Sequence, residues 1–156
     1  MIQIITGVID AGKTSYLKRH YDKHRNGDGV ISIKYMPEGK FVGYDLLHLK
    51  TGETMPFIRE KGAIPRDWKQ IYEVGRYSFS MNGFAFAGNI LDGIEEDPIY
   101  LDEIGPLEVF HNQGFHTFLM ELIEKKEELF LGVRYSLLED MIKKYINNKE
   151  MRVITV

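Results

Sequence analysis

The sequence predicts an α/β fold of three layers, with a mostly parallel sheet between helices and an antiparallel β insertion in its middle. Three observations lead there. Short apolar runs and helical periodicities alternate at both ends of the chain, the pattern of parallel strands joined by crossover helices. Alternating, turn-punctuated residues interrupt that pattern between positions 30 and 58. The first apolar run also feeds directly into a glycine-bounded loop, residues 7–15, Gly-Val-Ile-Asp-Ala-Gly-Lys-Thr-Ser.

Each element follows from local pattern. Ile2–Thr6 is apolar and closed by Gly7, so it reads as a buried strand. From Lys13, the residues Leu17 and Tyr21, and Tyr16, His20 and His24, recur at helical spacing until Asn26-Gly27-Asp28-Gly29 stops the helix. Val30–Met36 alternates as a strand and Pro37-Glu38-Gly39 turns the chain. Phe41–Leu49 and Thr54–Ile58 are two further strands around the Thr51-Gly52-Glu53 turn. Ala63–Asn82, interrupted by Pro65 and Gly75, reads as irregular, and Phe84–Leu91 as a short helix. Pro98–Leu101 is a short strand ending at Asp102-Glu103. Phe115, Phe118, Leu119, Leu122 and Ile123 mark one face of a helix running to about Glu128. Leu129–Val133 is a buried strand, Leu137 to Ile146 an amphipathic helix, and Met151–Val156 a closing strand.

The composition narrows the function classes. A chain of 156 residues, 44% hydrophobic and 28% charged, is expected to form one domain over residues 1–156 with a sizeable core. A net charge of −3, with basic residues clustered only as the pairs Lys18-Arg19, Lys125-Lys126 and Lys143-Lys144, does not suggest a nucleic-acid partner. There is no cysteine, so disulfides and thiolate metal sites are excluded. Met1–Ile5 lacks a signal-peptide pattern and no apolar window approaches the roughly 18 residues of a membrane span. The expectation is a soluble, cytoplasmic protein with no membrane partner.

The chemistry begins at Gly7, Gly12, Lys13 and Thr14, which fit the spacing of a phosphate-binding loop between a strand and a helix. In such a loop the backbone N–H groups of Gly7, Val8, Ile9, Asp10, Ala11, Gly12, Lys13, Thr14 and Ser15 surround a polyphosphate, and the helix N-terminus favours its charge. Lys13 reaches the β- and γ-phosphates, and the Thr14 hydroxyl serves Mg²⁺. Asp10 is anomalous: a carboxylate within an anion-binding loop repels phosphate unless it points outward or is paired. Its string Asp-Ala-Gly-Lys-Thr nevertheless resembles the phosphate loop of translational GTPases.

A second motif, Pro-Ile-Tyr-Leu-Asp-Glu, places two carboxylates at the end of a buried strand. Parallel sheets bind ligands beyond the carboxyl ends of their strands, the same edge as residues 7–14. Asp102 is therefore a candidate magnesium holder, and Glu103 a candidate base that polarises the attacking water beside the γ-phosphate. Both also count as nucleotide-binding residues.

With this loop at this distance, Asp-Glu-Ile-Gly-Pro-Leu-Glu (Asp102 to Glu108) resembles the nucleoside-triphosphatase family first described from thermophiles and also found in animals. Gly-Tyr-Asp-Leu-Leu (Gly43 to Leu47) and Val-Gly-Arg-Tyr (Val74 to Tyr77) agree, so the resemblance covers nearly the whole chain. It implies a RecA-like P-loop NTPase fold with an antiparallel insertion, and slow Mg²⁺-dependent hydrolysis of ATP, GTP and other NTPs. It assigns those roles to Lys13, Thr14, Asp102 and Glu103, and includes Glu108 without giving it a mechanism. The family also has a basic residue at the position of Arg134, just past a strand end, where it can stabilise transition-state charge as a third catalytic residue with Lys13 and Glu103.

Arg59 and Arg76 are weaker candidates for the same task. Trp68, Tyr72 and Tyr77 offer a base-stacking surface or, more simply, core packing. His111 and His116 are wrongly spaced for a metal pair on one helix face. Two other enzyme readings share the loop. A nucleotide or metabolite kinase usually carries an arginine-rich lid, whereas the arginines here are scattered. A GTPase switch fits Asp102-Glu103-Ile104-Gly105, but its guanine motif fails at Asn148-Lys149-Glu150-Met151. A nucleotide sensor without turnover is the alternative outside enzymology.

Overall fold

The N-terminal apolar run becomes strand β1 (Ile2–Gly7), in which Ile4 and Ile5 are wholly buried on opposite faces. A strand covered on both sides has no polar alternation to display, which explains its near-continuous hydrophobicity. The computed structural model describes all residues, 1–156. The remaining strands are β2 (Asp28–Tyr35), β3 (Gly43–His48), β4 (Thr54–Glu60), β5 (Gln70–Val74), β6 (Tyr77–Ser80), β7 (Ile99–Ile104), β8 (Leu129–Arg134) and β9 (Met151–Thr155). They form one nine-stranded sheet in the order β5-β6-β4-β3-β2-β7-β8-β1-β9.

The sheet has two parts. β2, β7, β8, β1 and β9 run parallel, so their carboxyl ends share one edge. β3, β4, β6 and β5 continue the sheet in antiparallel sense beyond β2 and make the insertion.

Helix α1 (Lys13–His24) covers one face alone. Its Leu17 and Tyr21 pack on Ile5, Ile31, Tyr100 and Phe130. Helices α2 (Met81–Asp92), α3 (Pro106–His111), α4 (His116–Lys125) and α5 (Leu138–Met141) bury the larger core on the other face, which includes Ile4, Leu101, Leu119, Leu131 and Met141. The result is the three-layer arrangement the alternating pattern predicts. No helix is long and apolar enough to cross a membrane.

Four boundaries correct the sequence reading. Residues 63–82 are not irregular throughout: they contain the β5–β6 hairpin, with Gly75 supplying its turn rather than breaking structure. α2 begins at Met81, three residues earlier than expected, because the Ser80 hydroxyl accepts from Gly83 N and caps it. α3, unforeseen, starts at Pro106, a residue suited to the first turn of a helix. The last helix is not uniform: a 3₁₀ turn (Tyr135–Leu137) precedes α5, and a π segment (Ile142–Ile146) follows it.

Candidate functional site

Residues 8–12 link β1 to α1 as a tight loop closed by Ala11 N donating to Val8 O at 3.1 Å. Gly12 has φ 105, a conformation that side chains disfavour, and no side chain caps the helix that follows. The first turn of α1 carries no acidic residue either, so its N–H groups and dipole are left to an anion. The Lys13 ammonium lies over this loop and donates to Gly7 O at 3.2 Å and Val8 O at 3.1 Å. The Val8 and Ile9 side chains point outward and are exposed. Asp10 is paired: its carboxylate meets Lys34 Nζ of β2 at 2.5 Å, which answers the repulsion its presence raised.

The acidic couplet sits on a bulge. Leu101 pairs with Leu131 and Ile104 with Val133, so β7 inserts one extra residue against β8. Glu103 takes φ 64 there, and the couplet belongs to the strand rather than following it. Asp102 is buried. Its Oδ2 accepts from Thr14 Oγ1 at 2.6 Å and from Ser32 N at 3.2 Å, while its Oδ1 accepts from Glu103 N at 2.9 Å. The loop and the couplet therefore meet through Thr14.

Burial raises the Asp102 carboxyl above its usual range, opposed by those hydrogen bonds and by Lys13. Burial, then the adjacent Asp102 charge, pushes Glu103 up to about 7, opposed by Arg134 and Lys13. A carboxyl of that value suits proton transfer near neutrality. Arg134 ends β8 in register with Gly7 of β1. It is exposed, and its charge acts on both Glu103 and Tyr44.

Glu108 acquires a structural role. It is buried on the first turn of α3, where Oε1 accepts from Gly105 N at 2.9 Å and Oε2 from Phe115 N at 2.8 Å. It thereby ties the end of β7 to the start of α4. Burial, the largest influence, pushes its carboxyl up to about 7 against these two bonds.

Three residues that sequence reasoning missed shape the site. β8 lies between β7 and β1, so Asp102 must cross it to reach Thr14. It does so over Gly132, where a Cβ would stand 2.2 Å from Asp102 Oδ1. A glycine inside the apolar run Leu129–Val133 was the available signal. Ser32 contributes its backbone N–H, which no side-chain pattern reveals. Tyr44 is half-buried opposite Lys34 on β3, and the charges of Glu103, Asp10 and Arg134 all act on its hydroxyl.

Other candidates fall elsewhere. Arg59 is buried and committed, donating to Tyr44 O at 3.0 Å, Ile58 O at 2.9 Å and Asp45 Oδ1 at 2.6 Å, with its guanidinium 3.9 Å from the Tyr35 ring centre. Arg76 lies in the exposed β5–β6 turn beside Glu60 and the Tyr77 hydroxyl, and β4, β3 and β2 separate β6 from β7. Neither belongs to the site. Within the insertion Trp68 donates to Ser78 Oγ at 2.8 Å, and Tyr72 of β5 packs edge-on against Phe84 of α2. His20, His48 and His116 bond Tyr100, Asp28 and Tyr145 respectively.

No three His or carboxylate side chains converge as a preformed metal cage. The oxygen pair of Thr14 and Asp102 fits Mg²⁺ instead, an ion usually held by one or two protein oxygens together with substrate phosphates and water.

A glycine-lysine-threonine loop at the head of a crossover helix, answered by a buried carboxylate on a parallel strand one place beyond the adjacent strand, defines a P-loop protein of the α/β class. The family model described as NTPase matches residues 3–156, and the chain belongs to that family: it is a nucleoside-triphosphatase. It is 26% identical over 132 residues to the nucleoside-triphosphatase THEP1 of Pyrobaculum islandicum, covering 83% of this chain and 71% of the relative. Two solved structures share the fold. THEP1 from Aquifex aeolicus superposes with a TM-score of 0.75 at 18% identity, covering 99% of this chain and 89% of that one. A human cancer-related nucleoside triphosphatase gives 0.68 at 22% identity, covering 98% and 87%.

Proposed function

We propose that residues 1–156 act as a single P-loop domain that hydrolyses magnesium-bound nucleoside triphosphates, ATP and GTP among them, to diphosphate and phosphate with slow turnover. The observation that carries this reading is the 2.6 Å hydrogen bond from Thr14 to Asp102, which brings the phosphate loop and the acidic couplet to one point. Residues 7–15 hold the polyphosphate. Thr14 and Asp102 would hold Mg²⁺, which when bound offsets the charge of the β- and γ-phosphates. The Lys13 ammonium exchanges its carbonyl partners for phosphate oxygens, so that acceptor as well as donor is charged and the bond is stronger. Glu103 accepts a proton from water as the water oxygen bonds to the γ-phosphorus and the bond to the β-phosphate oxygen breaks. Arg134 faces the charge that develops. The proposed setting is the cytoplasm, with which a cysteine-free composition is compatible.

The test is a panel of nucleoside triphosphates incubated with the purified protein and Mg²⁺. Phosphate release with no added acceptor is the expected result. Release that appears only with an acceptor metabolite would make the protein a kinase, and tight binding without release a sensor.

A further inference from the structure

The Asp10–Lys34 ion pair closes across the mouth of the site. Asp10 stands on the loop after β1 and Lys34 near the end of β2, with charged atoms 2.5 Å apart. β8 and β7 lie between those strands, so the pair spans the two that carry Arg134 and Glu103. Two residues before Lys34, Ser32 N donates to Asp102 at 3.2 Å. One pleat repeat, about 7 Å, therefore carries Lys34 beyond that carboxylate, toward the side where a terminal phosphate meets Glu103. Tyr44, the cross-strand partner of Lys34, lies within the influence of Asp10, Glu103 and Arg134 together.

The pair is built to exchange. Its side chains are 46% and 60% exposed, and solvent screens an ion pair in that setting so that it holds weakly. Asp10 is anchored by its backbone at φ 63, whereas lysine carries its charge on a flexible four-carbon stem. A terminal phosphate offers more charge and more acceptor oxygens than one carboxylate.

We propose that Lys34 is a phosphate-binding residue of this site, held by Asp10 and handed to the terminal phosphate of an incoming nucleoside triphosphate. The inference rests on the phosphate-binding reading of residues 7–15. It makes Asp10 a positioning residue that stores a cation at the mouth, and Lys34 a determinant of triphosphate over diphosphate binding.

Calorimetric titration of the full chain, with Mg²⁺ and the tightest binder among ATP, GTP, CTP and UTP, tests it in four proteins: wild type, Asp10→Asn, Lys34→Ala and the double variant. Asparagine accepts the left-handed backbone as aspartate does, and both positions are exposed, so the variants retain the fold. Asp10→Asn should tighten triphosphate binding and Lys34→Ala weaken it, each by about tenfold. In the Asp10→Asn background Lys34→Ala should still cost about tenfold for the triphosphate, and much less for the matching diphosphate. A silent Lys34→Ala in that background means lysine merely neutralises Asp10, and overturns the proposal while leaving the site reading intact. Equal losses for triphosphate and diphosphate overturn it too. A wild type that binds no nucleotide removes the phosphate-loop reading itself and this inference with it.

Discussion

Thr14 Oγ1 donates to Asp102 Oδ2 at 2.6 Å across 88 positions of sequence, joining the first turn of α1 to the bulged end of β7. Both atoms are hard oxygen ligands beside the phosphate loop; without Thr14, Asp102 Oδ2 keeps only the Ser32 N–H. Thr14→Ala is expected to lower turnover roughly 10–100-fold and raise the magnesium concentration needed for half-maximal rate, while Thr14→Ser keeps both within severalfold. Phosphate release titrated against Mg²⁺ reads this directly. Chelation by EDTA should abolish release, and excess Mg²⁺ should restore it. Undiminished release in EDTA would refute the magnesium role.

The same bond sets a steric demand on the strand between its partners. An alanine at position 132 would place its Cβ 2.2 Å from Asp102 Oδ1 and 3.3 Å from Leu17 Cδ1. Gly132→Ala is therefore expected to destabilise the fold by about 1–3 kcal/mol and to reduce turnover at least about tenfold, because Asp102 must move off Thr14. Gly62, around which a Cβ meets nothing within 4 Å, is the control: Gly62→Ala should leave stability unchanged or raise it by about 0.4–1 kcal/mol. Urea unfolding compared with phosphate release separates the two effects. A neutral Gly132→Ala would show that Asp102 does not need this path.

What was legible in the sequence is local. The phosphate loop declares itself because a strand, two glycines, a lysine and a threonine fall within the thirteen residues 2–14, and the couplet because two acids close a buried apolar run. Strand order is not local, and every missed residue depends on it. Gly132 matters only because β8 separates β7 from β1, and Lys34 and Tyr44 come toward the couplet only because β2 pairs with β7 and β3 pairs with β2. Arg59 shows the converse. Nothing in its neighbourhood foretells burial, yet Asp45 and two carbonyl groups satisfy its guanidinium inside the insertion. A lone glycine such as Gly75 looks alike in a loop and in a two-strand turn; only the pairing of Val74 with Tyr77 decides.

Glu103 and Glu108 give stability a definite pH dependence. Each carboxyl is raised from 4.5 to about 7 in the folded protein, chiefly by burial. Between those values the folded chain binds more protons than the unfolded one, so stability falls as pH rises. Their contribution is complete below the unfolded value and lost through the folded one. Urea unfolding without nucleotide or metal, from about pH 5 to about pH 8, should show a loss on the order of 1–3 kcal/mol for Glu108 and less for half-buried Glu103. Glu108→Gln should flatten that slope. It should also cost about 1–3 kcal/mol at the acid end, because an amide cannot accept from both Gly105 and Phe115. A stability that climbs across this range would contradict both assignments.

If Glu103 takes the proton of the attacking water, its amide must bind nucleotide yet fail in turnover. Glu103→Gln is expected to cut phosphate release roughly 10²–10⁴-fold with the dissociation constant changed only severalfold. Lys13→Ala should show the opposite emphasis, weakening binding first. Single-turnover release and calorimetry on the same preparations distinguish them; a Glu103→Gln protein with ordinary turnover would move the base elsewhere.

The role proposed for Arg134 couples charge stabilisation to the protonation of Glu103. It ends β8 beside Gly7, and its charge draws the Glu103 carboxyl down against burial and Asp102. Two effects should therefore travel together in Arg134→Ala. The turnover number falls on the order of 10²–10³-fold, as for loss of a positioned cation facing transition-state charge. The acid limb of kcat/KM moves to higher pH, since Glu103 loses the positive charge that favours its ionised form. Arg134→Lys keeps the charge, so the limb should stay near its wild-type position, but the planar fork is lost and the rate recovers only in part. Rate profiles across neutral pH for the three proteins check this. A slower enzyme with an unmoved limb would place Arg134 away from Glu103, whereas a moved limb with full speed would make it an electrostatic neighbour with no part in the transition state.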